Sequence, residues 1–261
     1  MADTDSRAGL VYFTRELLDW TTRVHAPHDA PLQYAFDAPA RHGMPAIQLA
    51  PSEAKLTELM LRLAGARKVI EVGTLAGYSA LRLARALPAD GEVHTIEFDA
   101  RHAEVAREVI SNAGESKRIT VHVGRGVDVL PTLESKGPFC GIFIDADKES
   151  YDQYGRWAAK HLRPGGLLIG DNVFLFNQLL EDSPRAAAMR RFHEEAKLHF
   201  DTVCIPTPDG MLLGVKRSFE EDIGEHDLSS TQPSRSGVRP CGFFTEAADL
   251  SRHRTELPGL R

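Results

Sequence analysis

From Lys68 onward the chain alternates short apolar runs with longer helical stretches, and this alternation limits the fold more than any other feature. Runs too short for a helix and too apolar for a surface strand read as strands covered on both faces, the pattern of βα units in a parallel sheet. The expected strands are residues 69–72, 93–97, 119–123, 141–145 and 167–171, with helices such as 80–86 and 103–110 between them. A longer helix near 186–199 is followed by strands 202–205 and 211–215. The Pro206-Thr207-Pro208-Asp209-Gly210 link is turn-rich, so these two strands are expected to form an antiparallel hairpin closing a sheet edge.

Upstream, the pattern is helical. Val11, Leu17, Leu18 and Trp20 mark one amphipathic segment, and Leu56, Leu59, Met60 and Leu63 recur at helical spacing after a Pro51-Ser52-Glu53 start signal. Beyond Glu220 the chain is Ser/Pro/Arg-rich without sustained periodicity, which predicts a disordered tail. Only Phe243-Phe244 there offers an apolar pair that could dock on the domain or on a partner subunit.

Composition excludes several classes of protein. The 261 residues carry 31 Lys+Arg against 37 Asp+Glu, a net charge of −6, which argues against a general basic surface for gripping nucleic acid. No basic segment followed by an apolar stretch opens the chain, and no apolar run nears the roughly 18 residues of a membrane span, so a cytoplasmic protein is expected. Cys140, Cys204 and Cys241 form no CxxC pair and read as buried or inert thiols. Neither His25/His28 nor His193/His199 has the spacing of a zinc site.

In an open parallel sheet ligands bind at the carboxyl ends of the strands, and here those ends are polar. The first ends in Glu71-Val72-Gly73-Thr74-Leu75-Ala76-Gly77-Tyr78-Ser79, where the glycines permit a tight strand-to-helix turn and close approach by a ligand. The spacing is neither GxGxxG nor a P-loop, and neither Tyr151 nor Tyr154 has a lysine four residues on, so a nicotinamide-dependent reductase fits poorly. The second strand ends in Glu97, 24 residues after Gly73, where a carboxylate could accept from two ribose hydroxyls. A glycine turn and a ribose acid without a diphosphate grip point to S-adenosylmethionine.

The fourth and fifth strands end in Asp145-Ala146-Asp147-Lys148 and Asp171-Asn172. Two carboxylates and an amide oxygen are hard ligands, which suit Mg²⁺, Mn²⁺ or Ca²⁺ and leave room for water or substrate oxygens. Lys148 lies three positions beyond Asp145, within reach of a substrate oxygen on the same ion, where a neighbouring cation would favour its neutral, basic form. An ion pair with Asp147 is its other reading.

Taken together, Glu71-Val72-Gly73-Thr74 with Gly77-Tyr78-Ser79, Phe143-Ile144-Asp145-Ala146-Asp147-Lys148 with Tyr151, Gly165-Gly166 before Asp171-Asn172-Val173, and Pro208-Asp209-Gly210 resemble the cation-dependent class I O-methyltransferases. That group contains the caffeoyl-CoA and catechol O-methyltransferases. The resemblance spans roughly residues 45–217 and includes the order and spacing of the motifs. It implies a Rossmann-like, doubly wound, seven-stranded α/β sheet, mostly parallel with an antiparallel last strand, and a homodimeric assembly. Residues 1–66 would then be helices capping the cofactor site, 67–217 the catalytic core, and 218–261 an extension.

Position by position, the resemblance implies Asp145, Asp171 and Asn172 as metal ligands, with Lys148 and Asp145 as the catalytic pair and Lys148 as base. It implies Leu49, Glu71, Gly73, Thr74, Ser79, Glu97, Gly126 and Asp147 as contacts of S-adenosylmethionine. Gly126 stands where plant members carry alanine, a change expected to leave a backbone contact intact. Phe176 stands where the plant caffeoyl-CoA enzymes carry a substrate-contacting asparagine, so an apolar rim and a small aromatic diol are expected in place of caffeoyl-CoA. The expected reaction is methylation of one hydroxyl of that diol. Its rivals are methylation of a hydroxylated tRNA base and a non-catalytic protein that keeps the cofactor pocket.

Overall fold

Helices α1 (Arg15–His25), α2 (Ala30–Arg41) and α3 (Pro51–Leu63) precede the sheet in the computed structural model, which describes residues 14–218. Val11, Cys241, the Phe243-Phe244 pair and the expected tail from residue 219 on lie outside the described residues. Thr14 and Asp29 start α1 and α2 by accepting hydrogen bonds from the Leu17 and Leu32 N–H groups, as N-cap side chains do. The spacing of Leu17, Leu18 and Trp20 does mark a helix, but none of α1 is buried and these side chains stay exposed. In α3 the buried face runs through Ala54, Met60 and Leu61, while Leu59 and Leu63 point outward. Leu61 sets that orientation because it seats over Gly141, where a β-carbon would lie 2.7 Å from its Cδ2.

The sheet elements follow in the order β1 (Lys68–Val72), α4 (Tyr78–Ala86), β2 (Glu92–Glu97), α5 (Ala100–Asn112), β3 (Ile119–Val123), α6 (Gly126–Val129), β4 (Phe139–Ile144), α7 (Tyr151–His161), β5 (Leu162–Asp171), α8 (Pro184–His199), β6 (Phe200–Ile205) and β7 (Met211–Lys216). Seven strands form one sheet in the order β3-β2-β1-β4-β5-β7-β6. All pairings are parallel except those of β7, which runs antiparallel to β5 and β6. Side chains of one face, among them Ile70, Ile142 and Leu168, pack with Tyr154 and Phe192; those of the other, among them Val69, Phe143 and Ile169, pack with Leu61 and Leu81.

The C-terminal hairpin forms and closes the sheet edge as expected, with its second strand on the inside: β7 inserts between β5 and β6, and β6 takes the edge. Burial accounts for this, since Met211 and Leu212 are enclosed whereas Val203 and Cys204 on β6 are exposed. Strand β5 begins at Leu162, five residues before the expected start at 167, because Leu162 pairs with Phe139 across an irregular register.

Strand β1 has β2 on one side and β4 on the other. Chain order reverses there, and such a reversal opens a crevice beyond the carboxyl ends of the strands. Among the described residues no helix is long and apolar enough to cross a membrane.

Candidate active site

The crevice is a cavity of about 850 Å³ whose walls include Gly73, Thr74, Glu97, Asp145, Lys148 and Asn172. Its floor is the β1–α4 turn. Gly73 has φ +101°, and a β-carbon there would lie 1.9 Å from the Asp145 carbonyl oxygen, so β1 and β4 touch backbone to backbone at this point. The Asp145 N–H donates to Val72 O at 2.8 Å and the Gly73 N–H to Ile96 O at 3.0 Å, tying the three strand ends together.

Glu97 organises the same turn from β2. Its Oε2 accepts from the N–H groups of Thr74 at 3.2 Å and Leu75 at 2.8 Å, and its Oε1 from Asp99 N–H at 2.9 Å. Glu71, opposite Thr95 in the β1–β2 register, accepts from the Thr95 hydroxyl at 2.6 Å, and the Thr74 and Thr95 hydroxyls are hydrogen-bonded to each other. Glu71 is fully buried, and its Oε1 has no hydrogen-bond partner among the described residues. Burial pushes its carboxyl up to about 8, with the charges of Asp145 and Glu97 adding to the shift and the Ser79 and Thr95 hydroxyls opposing it. An orphaned carboxylate oxygen beside a glycine turn is a place for a cationic ligand.

At the other end of the cavity, β4 and β5 deliver Asp145 and Asp171 side by side, one residue past the Ile144–Gly170 pair. Asn172 follows in the left-handed region (φ +54°) and lines the cavity. The Asp171 carboxyl is pushed up to about 7, first by burial and then by the negative charges of Asp145 and Glu53. Burial likewise raises Glu53 and Asp209, and for Glu53 the charges of Asp145 and Asp209 contribute. Mutually repelling carboxyl groups therefore converge here, although among the described residues no three His, Cys, Asp or Glu side chains are placed as a ready metal cluster. The mixed set of Asp145, Asp171 and the Asn172 amide is the arrangement that could hold an ion.

Lys148 is buried at 5% exposure. Its Nζ donates to Asp145 Oδ1 at 3.2 Å, to the Tyr151 hydroxyl at 2.6 Å and to Asp171 O at 3.4 Å. The Tyr151 hydroxyl in turn donates toward the carbonyls of Ile144 and Asp171 at 3.1 and 2.9 Å, so its oxygen is oriented to receive the lysine. The ion pair of Lys148 is thus with Asp145. Asp147 is held instead by the Tyr154 hydroxyl, which donates to its Oδ1 at 2.6 Å.

The structure brings Leu49, Gly73, Thr74, Ser79, Glu97, Gly126, Asp145, Asp147, Lys148, Asn172 and Phe176 to the walls of this one cavity, with Glu71 and Asp171 buried at the ends of β1 and β5. Gly126 is tightly enclosed. A β-carbon there would come within 2.7 Å of the Tyr154 ring, its hydroxyl and Val72 Cγ1, so in this chain alanine does not fit without movement. Sequence reasoning gave Tyr151, Tyr154, Glu53 and Arg185 no part in this site. The only available signal was the placement of both tyrosines soon after Lys148, on what becomes α7.

A doubly wound sheet with an acid-and-glycine turn at its switch point, and no grip for a diphosphate, defines a binding domain for S-adenosylmethionine. Comparison with known proteins agrees. A family model described as O-methyltransferase matches residues 28–217. Similar curated proteins include a catechol O-methyltransferase of Niastella koreensis, 41% identical over 63% of this chain and 77% of its own, and one of Mycobacterium tuberculosis, 39% identical over 62% and 73%. Among solved structures, an O-methyltransferase from Bacillus cereus in complex with SAH superposes with a TM-score of 0.74 at 33% identity, covering 77% of this chain and 97% of its own. TomG from Streptomyces achromogenes, involved in tomaymycin synthesis and solved with SAM, gives 0.73 at 32% identity, covering 78% and 96%. The chain belongs to the O-methyltransferase family and is an S-adenosylmethionine-dependent enzyme.

Proposed function

We propose that the enzyme transfers the methyl group of S-adenosylmethionine to one hydroxyl of a catechol-like aromatic diol, with a divalent cation on Asp145, Asp171 and the Asn172 side-chain oxygen. The observation that carries this reading is the convergence of mutually repelling carboxyl groups beside Lys148, where the buried Asp171 is driven up to about 7 by its burial and by the charges of the half-buried Asp145 and Glu53. Hard oxygen donors that repel one another fit Mg²⁺, Mn²⁺ or Ca²⁺. The names of the bacterial relatives support the acceptor. When bound, such an ion would hold both diol oxygens and favour the ionised hydroxyl.

The protein's own groups do the rest. Lys148 takes the hydroxyl proton at Nζ, and Tyr151 fixes where that nitrogen points. Glu97 and Asp147 place carboxyl groups along the cavity that receives the sulfonium cofactor, and Glu71 lies buried behind the same turn. The diol oxygen then forms a bond to the methyl carbon as the carbon–sulfur bond breaks, and neutral S-adenosylhomocysteine leaves. Much of the acceleration comes from alignment and from fixed electrostatics.

Two measurements test this. Methylation of catechol should stop with EDTA and return with Mg²⁺; an undiminished rate removes the ion. Lys148→Ala should lower turnover ~10²-fold or more, and a wild-type rate removes the base. Methylation of bulk tRNA without any turnover of catechols would replace the acceptor. The same reading assigns residues 1–66 to covering the cofactor, 67–217 to catalysis and 218–261 to an extension, and it expects a homodimer. Sedimentation of a single chain would overturn that assembly.

A further inference from the structure

At the acceptor end the cavity wall carries a guanidinium that methyl transfer does not use. Arg185, in the first turn of α8, lines the same cavity as Lys148, Asn172 and Phe176. Its Nε is buried without a hydrogen-bond partner among the described residues. The nearest carboxylate, Glu149 Oε1, is 3.7 Å away on a side chain 62% exposed, a screened contact that leaves the guanidinium available. Helix stability does not explain the residue either, since a cation in the first turn faces the positive end of the helix dipole and α8 has no acid there to offset it.

Its surroundings narrow what it meets. The charge of Arg185 reaches Asp209, whose Oδ1 accepts from the Phe176 N–H at 2.7 Å, so guanidinium and phenyl ring share one rim of the cavity. Phe176 is 57% exposed there and offers an apolar face. An aromatic ring that lies against Phe176 with its diol toward Asp145, Asp171 and Lys148 turns another edge toward Arg185. Guanidinium binds planar carboxylates through paired, charge-assisted hydrogen bonds. We propose that Arg185 recognises a carboxylate on the aromatic acceptor, which makes vicinal dihydroxy aromatic acids the substrate class. This rests on the diol-methylation reading above.

The test compares 3,4-dihydroxybenzoate with its neutral methyl ester as acceptors for the wild-type enzyme and for Arg185→Gln, in the presence of S-adenosylmethionine and Mg²⁺. Wild type should favour the acid, and the substitution should lower kcat/KM for the acid by about tenfold to a hundredfold, the worth of one charge-assisted contact. The ester should change by less than threefold, and Arg185→Lys should restore part of the preference for the acid. Equal losses on both acceptors would make Arg185 a structural residue and overturn the proposal, as would an unchanged acid. A loss seen only with caffeoyl-CoA would place the anion on a distant phosphate and overturn the carboxylate. Absence of methylation of either benzoate by wild type would overturn the diol reading, and this assignment with it.

Discussion

Gly73→Ala isolates the contact on which the whole cavity rests. The new methyl group would start 1.9 Å from the Asp145 carbonyl oxygen and 2.8 Å from its carbon. Ordinary contact begins near 3.4 Å, so the ends of β1 and β4 must separate by about 1.5 Å, the difference between 3.4 and 1.9. Both colliding partners are backbone, and no rotamer change relieves them. A non-glycine residue at positive φ adds about 1–2 kcal/mol. Weakening the Asp145–Val72 and Gly73–Ile96 hydrogen bonds adds about 1 kcal/mol each. The sum, roughly 3–4 kcal/mol, corresponds to a fall in Tm of about 6–16 °C for a domain of this size. Because Asp145 itself must move, turnover should fall ~10²-fold even in the fraction that folds. Thermal unfolding by circular dichroism and methyl transfer from labelled S-adenosylmethionine measure the two effects. Gly43→Ala is the control: Gly43 also has positive φ (+64°), but nothing lies within 4 Å of its would-be β-carbon. A Gly73→Ala enzyme within about 2 °C and threefold of wild type would refute the collision, and equal damage from Gly43→Ala would show that φ alone is responsible.

Three further outcomes follow from the site. Glu71 ionises in the fold only near 8 against an ordinary 4.5, so its burial leaves stability intact below pH 4.5 and removes it as pH rises toward 8. Glu71→Gln should therefore raise Tm of the ligand-free protein at pH 8.5 relative to wild type but not at pH 4.5, while weakening S-adenosylmethionine in calorimetry; a uniform shift at both pH values would contradict the assignment. Tyr154→Phe should loosen Asp147 and raise KM for S-adenosylmethionine about tenfold with little change in KM for the acceptor, and an unchanged value would detach Tyr154 from the cofactor. Gly126→Ala should mimic that effect, because its methyl group drives Tyr154 away, and a crystal structure showing Tyr154 in place would refute the mechanism.

Much of this was legible because strands buried on both faces advertise themselves as apolar runs, and because a parallel sheet dictates where its ligand must bind. The polar residues ending β1, β2, β4 and β5 could therefore be gathered into one site before any coordinates. Long-range pairing was harder to read. Pro164-Gly165-Gly166 carries every local sign of a turn, and in the fold it is a bulge within β5: Leu162 pairs with Phe139 and Leu167 with Gly141, so four residues of β5 face one of β4. The apolar side chains of α1 carry the correct period but do not say what they face, and in the described residues they stay exposed. Arg185 and Glu53 were invisible for another reason: their chemistry comes from elements 30 or more residues distant from Lys148 and is assembled only by the fold.

The insertion of β7 between β5 and β6 also bears on the order in which the protein is made. As the chain grows, β5 keeps an unpaired outer edge until residues 211–216 have been synthesised and folded back beside it. Asp171, Asn172 and Phe176 hang from that strand, and Asp209 arrives with the hairpin. The cofactor turn on β1 and β2 can be complete well before the acceptor end is rigid. A nascent or truncated chain ending before Met211 would thus display an open sheet edge, the kind of surface on which aggregation begins.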